Sequence, residues 1–337
     1  MWNKNKGRAG RATAMVNTSG RHSDEIAIEV FDLAKTYAGE VHAVHGITFD
    51  VATGEVFGLL GPNGAGKSTT IGMLTTTVIP SAGSARLVGH DVAHSPRAAR
   101  AVSRVVFQVA VVDRALTGRR HLQLHAQLWR VDAEIAKARI SELAETLGLS
   151  TLLDRPVGTY SGGERRRIEI ARALISDPRV LFLDEPTVGL DPRIRAELLD
   201  VVAGLRERSA TTILVTTHYL DEAERLCDRL AVMHAGEIVA LNSPRALRSE
   251  LGEKIVEVRT ERGAEQTLGQ LRSEGLAEGD AFIVGSSITI PLHRRGAADV
   301  ISGIERLGIA FTAISSREPT LDDVYLRLTG GQLAAAA

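Results

Sequence analysis

The chain has 337 residues, enough for two domains, and its 40 Lys and Arg residues against 41 Asp and Glu residues give a formal net charge of -1. This balance argues against a protein that coats nucleic acid or anionic lipid through bulk charge, and we expect no nucleic-acid partner. The single cysteine, Cys227, excludes an internal disulfide framework and a cysteine-rich zinc site. The longest apolar run, residues 105–112, is too short to span a bilayer and contains Gln108. Composition therefore predicts a soluble protein.

The first part of the chain is predicted to be a tail followed by a large α/β domain. Residues 1–24 contain no apolar segment, so we expect a disordered tail, with a targeting peptide as the alternative. In residues 25–244, β-type runs alternate with helical spacing, which implies a parallel sheet covered on both faces. The predicted strands cover residues 26–37, 42–51, 55–60, 102–108, 180–183, 212–215 and 230–233. The predicted helices cover residues 119–128, 133–147 and 162–175, and others start near Gly66, Pro192 and Tyr219.

A second, smaller domain is predicted for residues 245–330, followed by a short tail at residues 331–337. After a short helix the pattern restarts as strand, helix, two strands, helix and strand. These elements are expected at residues 254–260, 264–274, 281–284, 287–292, 297–307 and 309–315. The order β-α-β-β-α-β is that of a ferredoxin-like unit, so we expect an α+β accessory domain.

A glycine-rich loop lies between a predicted strand and a predicted helix. It fits the phosphate-binding pattern G-x-x-x-x-G-K-[ST] and consists of Gly61, Pro62, Asn63, Gly64, Ala65, Gly66, Lys67, Ser68 and Thr69. Glycines let successive N–H groups face one anion, and the start of the following helix adds positive potential. We expect Lys67 to reach the β- and γ-phosphates of ATP, and Ser68 to offer its hydroxyl group to Mg²⁺.

Two adjacent acids follow the apolar strand at residues 180–183. A phosphate loop of this kind needs a carboxylate at the end of a neighbouring strand. Asp184 is expected to hold the Mg²⁺ shell, and Glu185 to act as the general base that deprotonates the attacking water. A surface acid pair is the alternative. The four buried-type residues before the pair and Pro186 after it favour the site.

These motifs, together with others in a fixed order, resemble ABC-type ATPases over about residues 26–251. Alone, a Gln, a His or a Ser-Gly-Gly would more often be structural, whereas the ordered set is specific. The resemblance implies an α/β P-loop NTPase fold with a mostly parallel sheet, an antiparallel β subdomain and a helical subdomain. The additional matching residues are Tyr37, Gln108, Ser161-Gly162-Gly163-Glu164, Gly189-Leu190-Asp191 and His218.

The resemblance also implies what these residues do. Tyr37 would stack on adenine, Gln108 would reach Mg²⁺ and the attacking water, and His218 would contact the γ-phosphate. The segment that starts at Ser161 is a second anion nest, which would cap the ATP held by another chain, either a second copy or a paralogue. Two equivalent sites make the head-to-tail dimer contact isologous. Because ATP is part of the interface, its binding closes the pair and its hydrolysis weakens the pair.

Three further segments are similar to the ATP-binding subunits of daunorubicin/doxorubicin-resistance type drug exporters. They are residues 113–119, residues 155–157, and the terminal segment that contains Leu321-Asp322-Asp323-Val324-Tyr325-Leu326. An ordinary amphipathic closing helix is the alternative for the last of them. The similarity implies an exporter subunit that hydrolyses ATP and drives efflux of a drug or lipid-like molecule. It would bind a separate multi-span permease peripherally, at the cytoplasmic face of the membrane.

Two other functions stay open. An ABC importer subunit would differ mainly in its partners, so the neighbouring genes would distinguish it. A soluble ATP-dependent regulatory module would need an inactive site, and the presence of Glu185 and His218 argues against that.

Position 164 departs from the family pattern. Glu164 stands where relatives more often have Gln, and we expect it to leave the Ser161 nest in place. Arg165, Arg166 and Arg167 follow it, and a plain solvated helix face is one reading of these three arginines.

Overall fold

The structure, a computed structural model, describes residues 26–109, 112–208, 211–260 and 263–330. The predicted tails at residues 1–24 and 331–337 lie outside these ranges. The strands are, in chain order, β1 (Ile26–Tyr37), β2 (Val41–Ala52), β3 (Val56–Leu60), β4 (Ala82–Leu87), β5 (His90–Asp91), β6 (Ser103–Val106), β7 (Val180–Asp184), β8 (Thr212–Thr217), β9 (Arg229–His234), β10 (Glu237–Asn242), β11 (Lys254–Arg259), β12 (Phe282–Val284), β13 (Ser287–Leu292) and β14 (Ala313–Arg317). The helices are α1 (Lys67–Leu74), α2 (Pro96–Val102), α3 (Gly118–Leu128), α4 (Ala133–Thr146), α5 (Gly162–Leu174), α6 (Pro192–Arg208), α7 (Leu220–Leu226), α8 (Pro244–Ser249), α9 (Ala264–Ser273), α10 (Ala297–Arg306) and α11 (Leu321–Thr329). None of the helices described is both long and apolar enough to cross a membrane.

The central sheet has the strand order β10-β9-β3-β8-β7-β6. Five of these strands run parallel, and β10 pairs antiparallel with β9. Strands β3, β7 and β8 are buried along their whole length, because apolar layers cover both faces of the sheet. Since the carboxyl ends of parallel strands meet at one edge, the loop after β3 lies beside Asp184 and the residues that follow β8.

A second, antiparallel sheet has the order β2-β1-β4-β5 and packs on one face of the central sheet. Phe49 of β2 stacks on Phe57 of β3, with 5.2 Å between the ring centroids. Strand β1 ends at Tyr37, so this sheet carries the predicted adenine-stacking ring towards the glycine-rich loop. The other face of the central sheet packs against α3, α4 and α5 in a core that includes Leu122 and Ile168.

Four elements of this part, α2, β4, β5 and β10, were not predicted from the sequence. Strand β4 consists mainly of Ala, Gly and Ser, which have weak strand preference, and it is extended because it pairs with β1. Strand β10 follows a two-residue turn in which Ala235 and Gly236 have φ values of 46° and 82°. Two residues with positive φ form the tight connection typical of an antiparallel hairpin.

The C-terminal elements form a separate antiparallel sheet in the order β12-β13-β11-β14. The residues of its core include Val256, Leu271, Ile290 and Ile304, contributed by the sheet and by α9 and α10. The order of elements is strand, helix, strand, strand, helix, strand, as predicted for residues 245–330. The last strand starts at Ala313 rather than near residue 309.

The closing helix α11 packs back onto the first part of the chain. Leu321, Val324 and Tyr325 belong to the same core cluster as residues of α7 and α8. The Tyr325 hydroxyl group lies 3.1 Å from His234 Nδ1 of β9. This segment forms an amphipathic helix, and its apolar face covers α7 and α8.

A capping box holds the start of α11. Thr320 Oγ1 accepts a hydrogen bond from the Asp323 N–H group, and Asp323 Oδ2 accepts one from the Thr320 N–H group at 2.8 Å. Asp323 is 2% exposed and also accepts two hydrogen bonds from Arg317, at 2.6 and 2.8 Å. Burial alone would raise the pKa of Asp323, but the hydrogen bonds from Arg317 and Thr320 outweigh burial and lower it.

Candidate active site

The glycine-rich loop has no room for side chains at two positions. Gly66 precedes α1 with φ of 105°, and a Cβ built on it would lie 2.6 Å from the carbonyl oxygen of Ala43. A Cβ on Gly61 would lie 2.4 Å from the carbonyl oxygen of Met233. Glycine is therefore required at both positions, because the loop passes directly against the main chain of neighbouring strands.

Lys67, the first residue of α1, is buried beneath this loop. Its Nζ atom donates to the carbonyl oxygens of Gly61 and Pro62 at 2.7 and 3.1 Å. It also lies 3.1 Å from Glu185 Oε1, and the two side chains are 4% and 7% exposed. The predicted phosphate-binding lysine and the predicted general base thus form an ion pair inside the site.

Asp184 and Glu185 lie at the end of β7, as predicted. Asp184 Oδ1 accepts a hydrogen bond from Thr216 Oγ1 at 2.6 Å and one from Ser68 Oγ at 3.4 Å. Glu185 has φ of 44°, a left-handed conformation that costs a residue with a side chain roughly 1–2 kcal/mol. Its N–H group donates to Thr216 Oγ1 at 2.9 Å, which helps to hold this conformation.

Gln108 and His218 flank the carboxylate of Glu185. Gln108 Nε2 donates to Glu185 Oε2 at 3.4 Å, and His218 Nδ1 lies 3.5 Å from the same oxygen. His218 Nδ1 is buried and makes no hydrogen bond within the described residues. The loop after β6 and the loop after β8 therefore bring both residues to Glu185, which the sequence predicted only through the family resemblance.

Most of the predicted nucleotide-binding residues line a cavity of about 520 Å³. This volume is within the range of small-molecule sites, roughly 300–1,000 Å³. The ring of Tyr37, 42% exposed, lies at its wall, and Lys35 Nζ lies 5.1 Å from the ring centroid. The predicted residues that line the cavity are Tyr37, Asn63, Gly64, Gly66, Lys67, Ser68, Thr69, Gln108 and Glu185.

The segment Ser161-Gly162-Gly163 lies outside this cavity, at the start of α5. Ser161 and Gly162 are exposed, whereas a Cβ on Gly163 would lie 2.2 Å from Ile194 Cγ2. Glu164 closes a capping box with Ser161: its carboxylate accepts from the Ser161 N–H group at 2.6 Å, and its own N–H group donates to Ser161 Oγ at 3.2 Å. An anion that binds Ser161 would have to compete with the carboxylate of Glu164.

Comparison with known proteins shows which family this chain belongs to. Residues 44–188 match the family model described as ABC transporter. A daunorubicin/doxorubicin resistance ATP-binding protein of Streptomyces peucetius is 40% identical over 318 residues, which cover 90% of this chain and 92% of that protein. This chain belongs to the ABC transporter family of ATP-binding proteins. It is therefore an ATPase with the ABC form of the P-loop fold, as the sequence predicted.

Two other relatives of this ABC ATPase extend the comparison. A Nod factor export ATP-binding protein I of Paraburkholderia xenovorans is 38% identical, over 92% of this chain and 99% of that protein. The solved structure of cbiO1 from Clostridium perfringens, part of the ABC transporter complex cbiONQ, matches with a TM-score of 0.63 at 28% identity. That match covers 67% of this chain and 92% of the other.

The ABC ATPase site also contains residues that the sequence did not single out. Glu222 of α7 is 2% exposed and accepts hydrogen bonds from Thr187, which follows the acid pair, and from Thr217 Oγ1 at 2.7 Å. Burial raises the pKa of Glu222, while the two hydroxyl donors act to lower it. Glu222 thereby joins the loop after Glu185 to the strand that precedes His218. No local pattern reveals it, because its partners are distant in sequence.

The burial of Arg166 differs most from what the sequence predicted. A solvated helix face is wrong for this arginine, which is 6% exposed and points to the acid pair. Burial lowers its pKa, and the neighbouring carboxylate of Glu169 counteracts that effect. One sequence signal was available: residue 166 lies three positions after Gly163 and four before Ile170, which places it on the buried face of α5.

Proposed function

We propose that this ABC ATPase is the subunit that drives a drug or lipid-like molecule out of the cell through a separate multi-span membrane permease. The names of its relatives, which state daunorubicin/doxorubicin resistance and Nod factor export, support an exporter. The observation that carries the proposal is the convergence of Lys67, Asp184, Glu185 and His218 in one site within a chain related to those proteins over most of its length. In this role the subunit binds the permease at the cytoplasmic face of the membrane.

The cavity fits ATP. The ring of Tyr37 stacks on adenine at the outer wall, and the main chain of residues 61–66 holds the phosphates. Lys67 binds the β- and γ-phosphates with the ammonium group that contacts Glu185. The shape of the glycine-rich loop supports this placement, since a side chain at Gly61 or Gly66 would collide with main-chain oxygens.

The neighbouring oxygen atoms fit Mg²⁺. Ser68, Asp184 and Gln108 offer a hydroxyl, a carboxylate and an amide oxygen, which are the hard ligands that this ion prefers. Ser68 Oγ and Asp184 Oδ1 lie 3.4 Å apart. The part of the chain that the structure describes contains no cluster of three His, Cys, Asp or Glu residues able to bind a metal alone. An ion held jointly with phosphate oxygens fits this donor set, and when bound it neutralises charge on the β- and γ-phosphates.

Glu185 accepts the proton of the attacking water. Gln108 and His218 both lie close to Oε2 of its carboxylate and help to orient it towards the γ-phosphate. A positioned general base of this kind typically contributes a factor of about 10²–10⁴ to the rate.

The active unit is a head-to-tail dimer with a second copy or a paralogue. Ser161, Gly162 and Gly163 do not line the cavity of their own chain, and Ser161 and Gly162 are exposed. In a head-to-tail pair, these residues cap the ATP bound by the other chain. Two equivalent contacts of this type close the dimer without leaving a free site.

Three variants test these roles with the purified chain and Mg-ATP. Lys67→Ala should abolish ATP binding or turnover. Glu185→Gln should keep ATP bound, lengthen the lifetime of the ATP-dependent dimer and lower turnover by about 10²–10⁴. Unchanged turnover would remove Glu185 from the mechanism. Ser161→Ala should lower turnover more than it lowers ATP binding by the isolated chain, whereas Ser273→Ala, at an exposed position of α9, should change neither.

The exporter role needs a separate experiment. The gene next to the one encoding this chain should encode a six-span apolar protein. Vesicles that contain both proteins should move daunorubicin in the presence of ATP, and Lys67→Ala should stop this movement. A neighbouring periplasmic binding protein, or ATP-driven uptake in place of efflux, would show an importer.

A further inference from the structure

Arg166 connects α5 to the two loops that carry the hydrolysis residues. Its guanidinium group is buried, and Oε2 of Glu169, one helical turn further on, lies 3.1 Å from Nη1. A planar guanidinium carries five donors on three nitrogen atoms, whereas a lysine ammonium carries three donors on one nitrogen atom. The donors of Arg166 bind four main-chain carbonyl oxygens, those of Phe107, Asp184, Glu185 and Pro186.

These carbonyl oxygens belong to two separate segments of the site. Phe107 directly precedes Gln108, while the other three belong to residues 184–186. Nη2 donates to the carbonyl oxygens of Asp184 and Glu185 at 3.1 and 3.4 Å, and Nε donates to that of Pro186 at 2.9 Å. A single side chain therefore ties the main chain before Gln108 to the main chain of the acid pair.

Glu185 needs this support because of its backbone conformation. Its positive φ is unfavourable for a residue with a side chain, and such conformations persist only where the surroundings hold them. The Glu185 N–H group is held by Thr216 Oγ1 at 2.9 Å, and its carbonyl oxygen is held by Arg166. With both peptide groups fixed, the carboxylate stays beside Lys67, Gln108 and His218.

We propose that Arg166 is a positioning residue of the hydrolysis site, which fixes the main chain of Glu185 and of Gln108 to the helix that begins after Ser161. The proposal rests on the proposed roles of Glu185 and Gln108. Helix α5 carries the Ser-Gly-Gly segment at its start and Arg166 little more than one turn later. A shift of that segment, when it contacts the nucleotide of another chain, is thus transmitted by a rigid helix to the general base.

Arg166→Lys is the first test. It keeps a positive charge opposite Glu169 but cannot bind all four carbonyl oxygens. We expect kcat for Mg-ATP hydrolysis to fall on the order of tenfold to hundredfold, because small displacements of a catalytic group have effects of this size. The ATP affinity of the isolated chain and its Tm should stay close to the wild-type values. Arg167→Lys is the matched control, since Arg167 contacts the Leu147 carbonyl oxygen at 3.4 Å and should leave kcat unchanged.

A second variant tests the proposal in case Arg166→Lys does not fold. Arg166→Gln combined with Glu169→Gln removes both charges of the Arg166–Glu169 ion pair together. We expect the same loss of kcat with retained ATP binding. Wild-type kcat in either variant would overturn the proposal, and so would a parallel loss of ATP binding, kcat and Tm in both.

A variant of Glu185 separates positioning from a direct role. When Arg166→Lys is added to Glu185→Gln, the residual turnover should fall by much less than Arg166→Lys alone lowers kcat, because the part of its effect that acts through Glu185 is already lost and only the part through Gln108 remains. A further drop by the full factor would show that Arg166 acts independently of Glu185 and would overturn the proposal. Absence of turnover in the wild-type chain would contradict the proposed function itself, and this proposal with it.

Discussion

The ion pair between Lys67 and Glu185 predicts that Glu185→Gln binds ATP more tightly than the wild-type chain. The Nζ atom and Oε1 lie 3.1 Å apart, and both side chains are buried. A γ-phosphate at the glycine-rich loop binds the same ammonium group, so the carboxylate and the nucleotide compete for it. The neutral amide of glutamine competes less and does not repel the triphosphate.

The distance sets the size of the effect. At 3.1 Å, two unit charges attract each other by about 5 kcal/mol at an effective dielectric constant of about 20. Much of this attraction is offset by the cost of keeping both charges out of water. A net competition of about 1–2 kcal/mol corresponds to ATP binding that is about five- to thirtyfold tighter in the variant.

Calorimetric titration of the isolated chain with ATP, in the absence of Mg²⁺, measures this affinity without turnover. Glu237→Gln is the matched control, because it removes one negative charge at an exposed position of β10 and should leave the affinity unchanged. Equal or weaker binding by Glu185→Gln would refute the reasoning, since it would mean that the carboxylate does not compete for Lys67.

Three further predictions concern single side chains. Glu164→Gln keeps the capping box but removes the charge that competes at Ser161, so the KM for ATP in turnover should fall about two- to fivefold; an unchanged KM would contradict this. Burial, with help from nearby cationic side chains, lowers the pKa of His125 to about 4, so only the unfolded chain gains this proton between about pH 6.5 and 4. The Tm of the wild-type chain should therefore fall further than the Tm of His125→Gln as the pH falls through that window. Equal decreases in Tm would contradict this prediction. Asp323→Asn should lower the free energy of unfolding by about 1–3 kcal/mol in a urea titration, whereas Asp322→Asn, at an exposed position, should not.

The phosphate loop and the acid pair could be predicted from the sequence because their chemistry is local. Residues 61–69 need glycines and a lysine at fixed spacing, and Asp184 and Glu185 directly follow an apolar strand. The parallel sheet then brings the two together without further information. Gln108 and His218 needed the family resemblance, since a single polar residue after a strand is compatible with many roles.

The contacts within the site could not be predicted, because they join residues distant in sequence. The Lys67–Glu185 ion pair and the carbonyl contacts of Arg166 depend on how α1, α5 and β7 pack together. The capping box of Glu164 is different: a Ser followed three residues later by Glu is its sequence signature. That local signal was available, and it shows that Glu164 has a partner of its own.

The packing of α11 restricts where the chain can be shortened. Leu321, Val324 and Tyr325 are almost fully buried against helices that precede the C-terminal sheet in sequence. A fragment cut just after α8 would expose that strip of α7 and α8 to water, and exposed apolar strips promote aggregation. The same contact bears on synthesis: the ribosome must release the last helix before the ATPase core is covered. Expression of the ATPase part alone therefore calls for α11 to be supplied as well, either in the same chain or as an added peptide.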